Sequence, residues 1–551
     1  MRGGFTDGGV SGVGNEFVQA LMANQGFDKY ISDKIGALAK ADTIATATNL
    51  LYYDLSHLIQ FTYPYRELIP RISRLPRVAA DGGNAFHWKR ITGIGTNNVS
   101  AGVSEGNRGA RTSVLEQDMM AAYKTLGKES SVTFEARLAG RNLSPEVLGI
   151  SIQSALRDLR INEEKILING NSSLPLGTTP TPTLAASVIA GITPSFANAA
   201  VYVACVALSG FAYNTYTPYS SVTGLGGIPG QVTKVNAGGQ STDTFGGGSA
   251  RPSAIAAVTP NGTTQAIVAT CSLVAGATNY AWYVGTTAGS PSTMYLAGIT
   301  PSNQVVLTKI PPSTNQPLSA LYVGGLPQDN STNILVPDGV LTQILGAVTG
   351  PDPGRAMSTN PFSPSGVSYS AGGSIIYTMP NGNTGLTISG ININEFDAVL
   401  QAAFEQYKVG FDRIMMSATD MIDSFGQMLN QASAANIFRM LFESSDGQIR
   451  AGQKVTSYLN KFMNNTLEVE VHPWLTPGTI IFWSDRTPYE VSNIANLLEA
   501  KVRQDYYQIQ WPWTSRRYEY GVYVDETFPM YFTPAFAAII NKNPSSGNSV
   551  F

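Results

Sequence analysis

Three histidines, His57, His87 and His472, are the only imidazoles of the chain, and they lie far apart in the sequence. None belongs to an H-E-x-x-H pair or to a Cys/His zinc spacing. One G-x-S-x-G string occurs at residues 102–106, with Ser104 at its centre. A nucleophile elbow needs a strand before the serine and a helix after it. Polar, glycine-rich sequence lies on both sides, so the match is read as chance. No G-x-x-x-x-G-K-[ST] or G-x-G-x-x-G phosphate loop is present. Glu163 and Glu164 are adjacent carboxylates in a charge-dense helix, and a solvated or ion-paired role is expected rather than acid/base work. His87 beside Trp88 is read as a pair of half-buried strand residues. The run YYQIQWPWTSRRYEYGVY interleaves aromatics with Arg516 and Arg517, a pattern able to stack single-stranded nucleic acid. At a formal charge of −3 it is read as packing and interface surface instead. No catalytic residue, cofactor or metal is predicted, and the chain is not expected to be an enzyme.

Charged residues make up only 13% of the 551, and Gly 55 with Pro 31 promises many turns. No apolar run is long enough to span a bilayer, and the N-terminal residues lack the apolar stretch of a signal peptide. Synthesis in the cytoplasm is expected, with Cys205 and Cys271 as free thiols.

The elements follow from periodicity. Ser144 as N-cap, Pro145 at the first position and Gly170 as stop predict a helix, with Leu148, Ile152, Leu156, Leu159 and Ile166 on one face. Ahead of it, NAFHWKRITGIG and YKTLGKESSVTFEARLAG are read as two arms of a hairpin with a polar tip. Beyond residue 391, a helix capped by Asn394, a strand FDRIMMSA, a helix capped by Thr419, and strands TLEVEVHPW, GTIIFW and RRYEYGVYVDETFPMYF predict a mixed body.

Between residues 171 and 390 only eight charged residues occur. This segment reads as an insertion into a host whose halves flank it. Its runs NAAVYVACVAL, TQAIVATCSLV, NYAWYVGTT, TMYLAGI and QVVLTKI predict an immunoglobulin-like β-sandwich at about 185–325, with Tyr280 and Trp282 on one face. The stretch PYSSVTGLGGIPGQVTKVNAGGQSTDTFGGGSARPS is read as loop, and residues 348–374 as a flexible linker. Excision of 181–374 is expected to leave a foldable body.

An arm, a long hairpin, a long charged helix ending in ILINGN and a mixed α/β body, in that order, resemble the major capsid protein of tailed double-stranded-DNA bacteriophages, the Hong Kong 97-type shell. The resemblance covers roughly 330 residues and rests on order rather than a short motif. It implies an α+β fold with residues 1–79 as N-terminal arm, 80–143 as extended loop and 144–170 as spine helix of the peripheral domain. Residues 171–390 are then the insertion, and 391–551 the axial domain with returning peripheral strands. It implies a structural protein of the virion, assembled in the host cytoplasm as hexamers and pentamers of an icosahedral head around double-stranded DNA. Portal, scaffold and decoration proteins are the implied partners, with weak non-specific DNA contact and no membrane. Inter-subunit contacts are expected from Arg108, Arg111, Lys128, Glu129, Glu135, Arg137, Arg157, Arg160, Glu163 and Glu164. The alternative is a phage tail or surface-adhesion protein whose sandwich binds carbohydrate.

Overall fold

A computed structural model describes residues 63–80, 82–94, 102–109, 114–140, 146–236, 242–346, 364–370, 372–380, 385–389, 392–426, 455–485, 494–513, 515–543 and 550–551. Contacts divide the chain into Met1–Gln60 with Asn142–Pro145, and Phe61–Arg141 with Glu146–Phe551; all described residues belong to the second unit. Most of the N-terminal arm, Ser144, Pro145 and residues 348–363 of the predicted linker therefore lie outside the described residues. The architecture is mixed α and β, with sheets predominating.

Strand β1 (Arg77–Ala79) precedes an antiparallel ribbon of β2 (Ala85–Ile94) and β3 (Val114–Ala122). β4 (Lys124–Thr133) leads into helix α1 (Phe134–Ala139), and α2 (Val147–Asn169) follows. The returning arm of the hairpin is thus VLEQDMMAA, not the segment predicted for it. β4 goes elsewhere because Leu126 and Val132 alternate toward the core, and FEARLA is helical because Thr133 accepts the Ala136 N–H at 3.2 Å as an N-cap.

Helix α2 is roughly 34 Å long. Its first half is partly exposed, but from Ile161 onward residues from all sides are buried, including Glu163 and Glu164. The predicted amphipathic stripe thus holds for the first turns only. Gly170 ends the helix with φ −56, outside the left-handed region. Glycine is needed there for close approach: a Cβ would lie 2.4 Å from the Pro337 carbonyl oxygen.

The uncharged segment supplies β5 (Thr183–Ser187), β6 (Val201–Leu208), helix α3 (Gly210–Thr215), β7 (Ala256–Val258), β8 (Ala266–Thr270), β9 (Asn279–Gly285), β10 (Met294–Thr300) and β11 (Gln304–Leu307). Two antiparallel sheets result, in the orders β7-β6-β9-β10 and β11-β8-β5. They share a core containing Val203, Cys205, Ile267, Tyr280, Trp282 and Val305. Ala281 and Tyr283 point the other way, into a second cluster with Ile228 and Leu318. The chain order is not that of an immunoglobulin domain, whose first two strands pair; here β5 and β6 lie in opposite sheets. The stretch expected to be loop holds two small hairpins, Thr217–Ser220 with Leu225–Gly227 and Gln231–Val235 with Thr242–Gly246. Positive φ at Gly224, Gly226 and Gly227 makes the first turn feasible.

The remainder comprises α4 (Val340–Leu345), β12 (Val367–Tyr369), β13 (Ile375–Thr378), α5 (Asn394–Tyr407), β14 (Arg413–Met416), β15 (Ser457–Asn460), β16 (Asn465–Val471), β17 (Ile480–Trp483), β18 (Ala500–Gln510), β19 (Arg517–Thr527) and β20 (Phe536–Ile540). A seven-stranded sheet runs β12-β13-β20-β17-β14-β16-β15, and a four-stranded sheet runs β1-β18-β19-β4. Ile393, not Asn394, caps α5, while the Glu395 carboxylate accepts the Thr387 N–H. Ser417, not Thr419, caps the short helix Ala418–Met421, its Oγ accepting the Asp420 N–H at 3.1 Å.

One core unites α2, α5 and both of these sheets. Val336, Val340, Leu341 and Ile344, from the segment read as insertion, belong to it. Conversely, the C-terminal Phe551 pairs with β11, its N–H donating to the Val306 carbonyl at 2.9 Å, and packs against the sandwich core. The two segments are therefore stitched together at both places.

Candidate assembly surfaces

Among the described residues the β2–β3 ribbon pairs only with itself. Register runs from Ala85 opposite Ala122 to Ile94 opposite Val114, with a bulge between Ile91 and Gly93. Period two sends Phe86 and Trp88 to one face, where they stack on each other and meet Tyr531 edge-on at 6.3 and 5.7 Å. That contact anchors the base. The other face carries His87, Lys89, Ile91, Glu116, Asp118 and Met120, all exposed; Ile91 is 64% and Met120 61% accessible. Lys89 reaches Glu116 at 3.4 Å across the strands. His87 is thus exposed and only Trp88 half-buried. Beyond the ribbon, Ser104 sits in a turn whose Oγ accepts the Asn107 amide at 2.6 Å, without the strand and helix of a nucleophile elbow.

A second surface forms around α1 and the start of β19. Arg516 pairs with Glu135 at 2.9 Å, and Arg137 with Glu146 at 3.0 Å. The Arg137 guanidinium also lies 4.9 Å from the Tyr518 ring centre, and its hydrogen bond to Glu146 raises its pKa. Trp513 is 69% exposed and meets Tyr518 edge-on. The aromatic and arginine residues of this run are thus partly engaged with each other and partly open.

The ten residues singled out from the sequence separate into distinct environments. Arg108 is exposed, and Arg111 lies outside the described residues. Lys128 pairs with Asp158 of α2 at 2.9 Å, fastening the sheet to the helix. Glu129 accepts the Tyr523 hydroxyl at 2.5 Å; the Tyr523 ring lies over Gly127, where a Cβ would be 2.2 Å from it. Arg157 and Arg160 stack toward the rings of Tyr65 and Tyr506 at 5.6 and 5.9 Å.

Glu163 and Glu164 are both fully buried, and as neighbours about 100° apart on α2 they meet different partners. Glu164 accepts the Arg71 and Ile72 backbone N–H groups at 3.0 and 2.6 Å and faces His472 Nε2 at 2.7 Å. His472 Nδ1 accepts the Trp474 N–H at 3.2 Å, which leaves the ring proton on Nε2, donated to Glu164. Glu163 accepts the Tyr506 hydroxyl and lies 3.9 Å from Arg77, whose other nitrogen reaches buried Glu526 at 3.1 Å. Burial raises the Glu163 pKa; burial, then the Glu163 charge, raise that of Glu526 well above the carboxylate range. Of the expected solvated or ion-paired role, burial removes the solvated alternative and leaves paired carboxylates: Arg77 of β1, Tyr506 of β18 and Glu526 of β19 close over Glu163, and the turn at Arg71 closes over Glu164. Residues 71, 77, 472, 506 and 526 escaped the sequence reading, since their partners are tens to hundreds of positions away and no local pattern marks them.

Among the described residues no cluster of His, Cys, Asp or Glu is placed to hold a metal, and no helix is long and apolar enough to cross a membrane. A cleft of about 560 Å³ on the sandwich is lined by Tyr213, Tyr216, Tyr219, Asn315 and Gln316. Its amides are engaged within the chain: Asn315 donates to the Leu296 carbonyl at 2.7 Å and Gln316 to that of Ile228 at 2.9 Å.

Solved structures similar to this chain include capsids. The capsid of a native GTA particle matches over 91% of this chain and 99% of its own, at 7% identity and a TM-score of 0.39. The cyanophage A-1(L) capsid matches over 91% and 99%, at 10% identity and 0.37. Gordonia phage Cozz matches over 90% and 93%, at 9% and 0.35. No family model and no curated protein matches it.

Proposed function

We propose that the chain is a major capsid protein of a tailed phage with the Hong Kong 97-type fold, a structural subunit that assembles as hexamers and pentamers into an icosahedral head around double-stranded DNA and catalyses nothing. The ribbon at residues 85–122 carries the proposal. A two-stranded hairpin is marginal in water by itself. This one is anchored at its base by one face and presents exposed Met120 on the other face there and exposed Ile91 farther out, so it gains order from a neighbouring copy. In this reading residues 80–143 are the extended loop, 144–170 the spine helix, 171–390 an insertion, and 391–551 the axial domain with returning strands. Residues 1–79 form an arm. The charged surface around Glu135 and Arg516 is a further inter-subunit contact, and the mild net charge leaves packaged DNA loosely held. Many modest interfaces closing a symmetric shell suffice for stability.

Negative-stain microscopy of the expressed protein tests this. Shells, hexamers or pentamers are expected. Monomers or fibres at high protein concentration would reject it in favour of the adhesion reading.

A further inference from the structure

Cys205 and Cys271 are fully buried in the core between the four- and three-stranded sheets. Cys205 lies in the middle of β6, with Trp282 of β9 as its cross-strand neighbour. Cys271 follows directly on β8, and its N–H donates to the Asn303 carbonyl at 2.8 Å. Val203, Cys205 and Ala207 alternate inward from one sheet, and Ile267, Ala269 and Cys271 from the other. Both cysteine side chains thus enter one buried cluster from facing sheets, and Tyr280 belongs to the same cluster. Cys271 Sγ also lies 3.3 Å from the Pro180 carbonyl. Trp282 is held beside them by its Nε1 bond to Thr300 Oγ1 at 2.8 Å.

The spatial arrangement of the strands explains this meeting. Taken by neighbourhood alone, β7-β6-β9-β10 occupies the places of strands G-F-C-C′ of an immunoglobulin sandwich, and β5-β8-β11 those of A-B-E. Cys271 then stands at the end of B, Cys205 on F and Trp282 on C, the places of the inter-sheet disulfide and its packing tryptophan. The chain visits these places in a different order, so the Cys…Trp…Cys sequence spacing is missing although its geometry is present.

We propose that Cys205 and Cys271 form a latent cross-sheet disulfide, reduced as the chain is made and closed by a small-molecule disulfide once the protein meets an oxidising medium. One thiolate attacks a sulfur of the oxidant R–S–S–R, forming a mixed disulfide and releasing RS⁻. The second thiolate attacks the protein-bound sulfur and releases the other RS⁻. Both thiol protons end on the two RSH products, and the two electrons lost by the cysteines reduce the oxidant. Burial holds the Cys205 pKa well up, so thiolate is scarce and exchange proceeds through transiently opened molecules. The bond would close the long loop between residues 205 and 271, restricting the unfolded chain. The inference depends on the sandwich alone, so its failure would leave the shell reading standing.

The full-length protein is made in an ordinary and in an oxidising bacterial cytoplasm, and the former sample is also incubated with oxidised glutathione. Each is then denatured, alkylated and mapped by peptide mass spectrometry, with thermal unfolding in parallel. Two alkylated cysteines are expected in the ordinary sample, and a Cys205–Cys271 linked peptide, lost on adding dithiothreitol, in the oxidised ones. Oxidation should raise Tm by roughly 5–15 °C. Cys205→Ala and Cys271→Ala, each a small substitution, should abolish that rise. Two free thiols after both routes, glutathione adducts or chain-to-chain dimers alone, or a linked form that melts earlier would each overturn the proposal.

Discussion

His472 donates from Nε2 to the Glu164 carboxylate at 2.7 Å, and neither side chain has any solvent exposure. The same carboxylate holds the backbone N–H groups of Arg71 and Ile72, so one buried acid ties α2 to the turn before β1 and to the end of β16. Glu164→Ala should leave three buried donors without an acceptor and cost about 3–5 kcal/mol. Calorimetry of the purified variant measures this; Glu164→Gln, which keeps one acceptor, should lose less. Equal stability of Glu164→Ala and the parent would contradict the assignment.

The Glu163–Arg77–Glu526 cluster predicts a pH dependence. Burial raises both carboxyl pKa values in the fold, with the Glu163 charge adding to the shift at Glu526. The fold therefore binds a proton more tightly than the unfolded chain, which releases it near pH 4.3. That contribution is complete below the unfolded value and is lost as pH rises through the folded one. Glu526→Gln keeps a neutral side chain of the same shape. Its Tm should fall less steeply than the parent's from about pH 5 to pH 9; a parallel fall would exclude the cluster as the cause.

The ribbon separates folding from assembly. Ile91→Glu with Met120→Glu places charge on an open face, so monomer stability should change by no more than about 0.5 kcal/mol per site. Higher-order particles should vanish in sedimentation velocity. Particles that form as readily as in the parent would show that this face is not an interface.

Excision tests where the insertion ends. Removing 181–374 deletes Val336, Val340, Leu341 and Ile344 from the main core, so that variant should aggregate with loss of helical circular dichroism. Removing 181–331 behind a short linker spares those side chains and should give a soluble, cooperatively melting body. The reverse outcome would place α4 with the sandwich instead.

Helix α2 and the strands at Val201, Asn279, Arg413, Ile480 and Arg517 were legible because each is written in local periodicity. The hairpin's second arm was misread because Val114–Ala122 and Lys124–Thr133 are both strand-like and lie close together in sequence; only pairing, of the former with β2 and of the latter with β19 over Arg517–Glu526, distinguishes them. The two caps were misplaced by one or two residues: α5 starts after Ile393 without any side-chain cap, and Ser417 rather than Thr419 caps the short helix that follows β14.

The sequence by itself determined the longest helix, most of the sandwich and body strands, and the sharp change in charge at residues 171 and 390, since these are properties of neighbouring residues. Only the tertiary structure decided which carboxylates are buried, that Val340 and Phe551 cross between the two segments, and that Cys205 and Cys271 enter one core from facing sheets. Those outcomes depend on contacts between residues far apart in the chain, which are set by how sheets stack rather than by any pattern within one element.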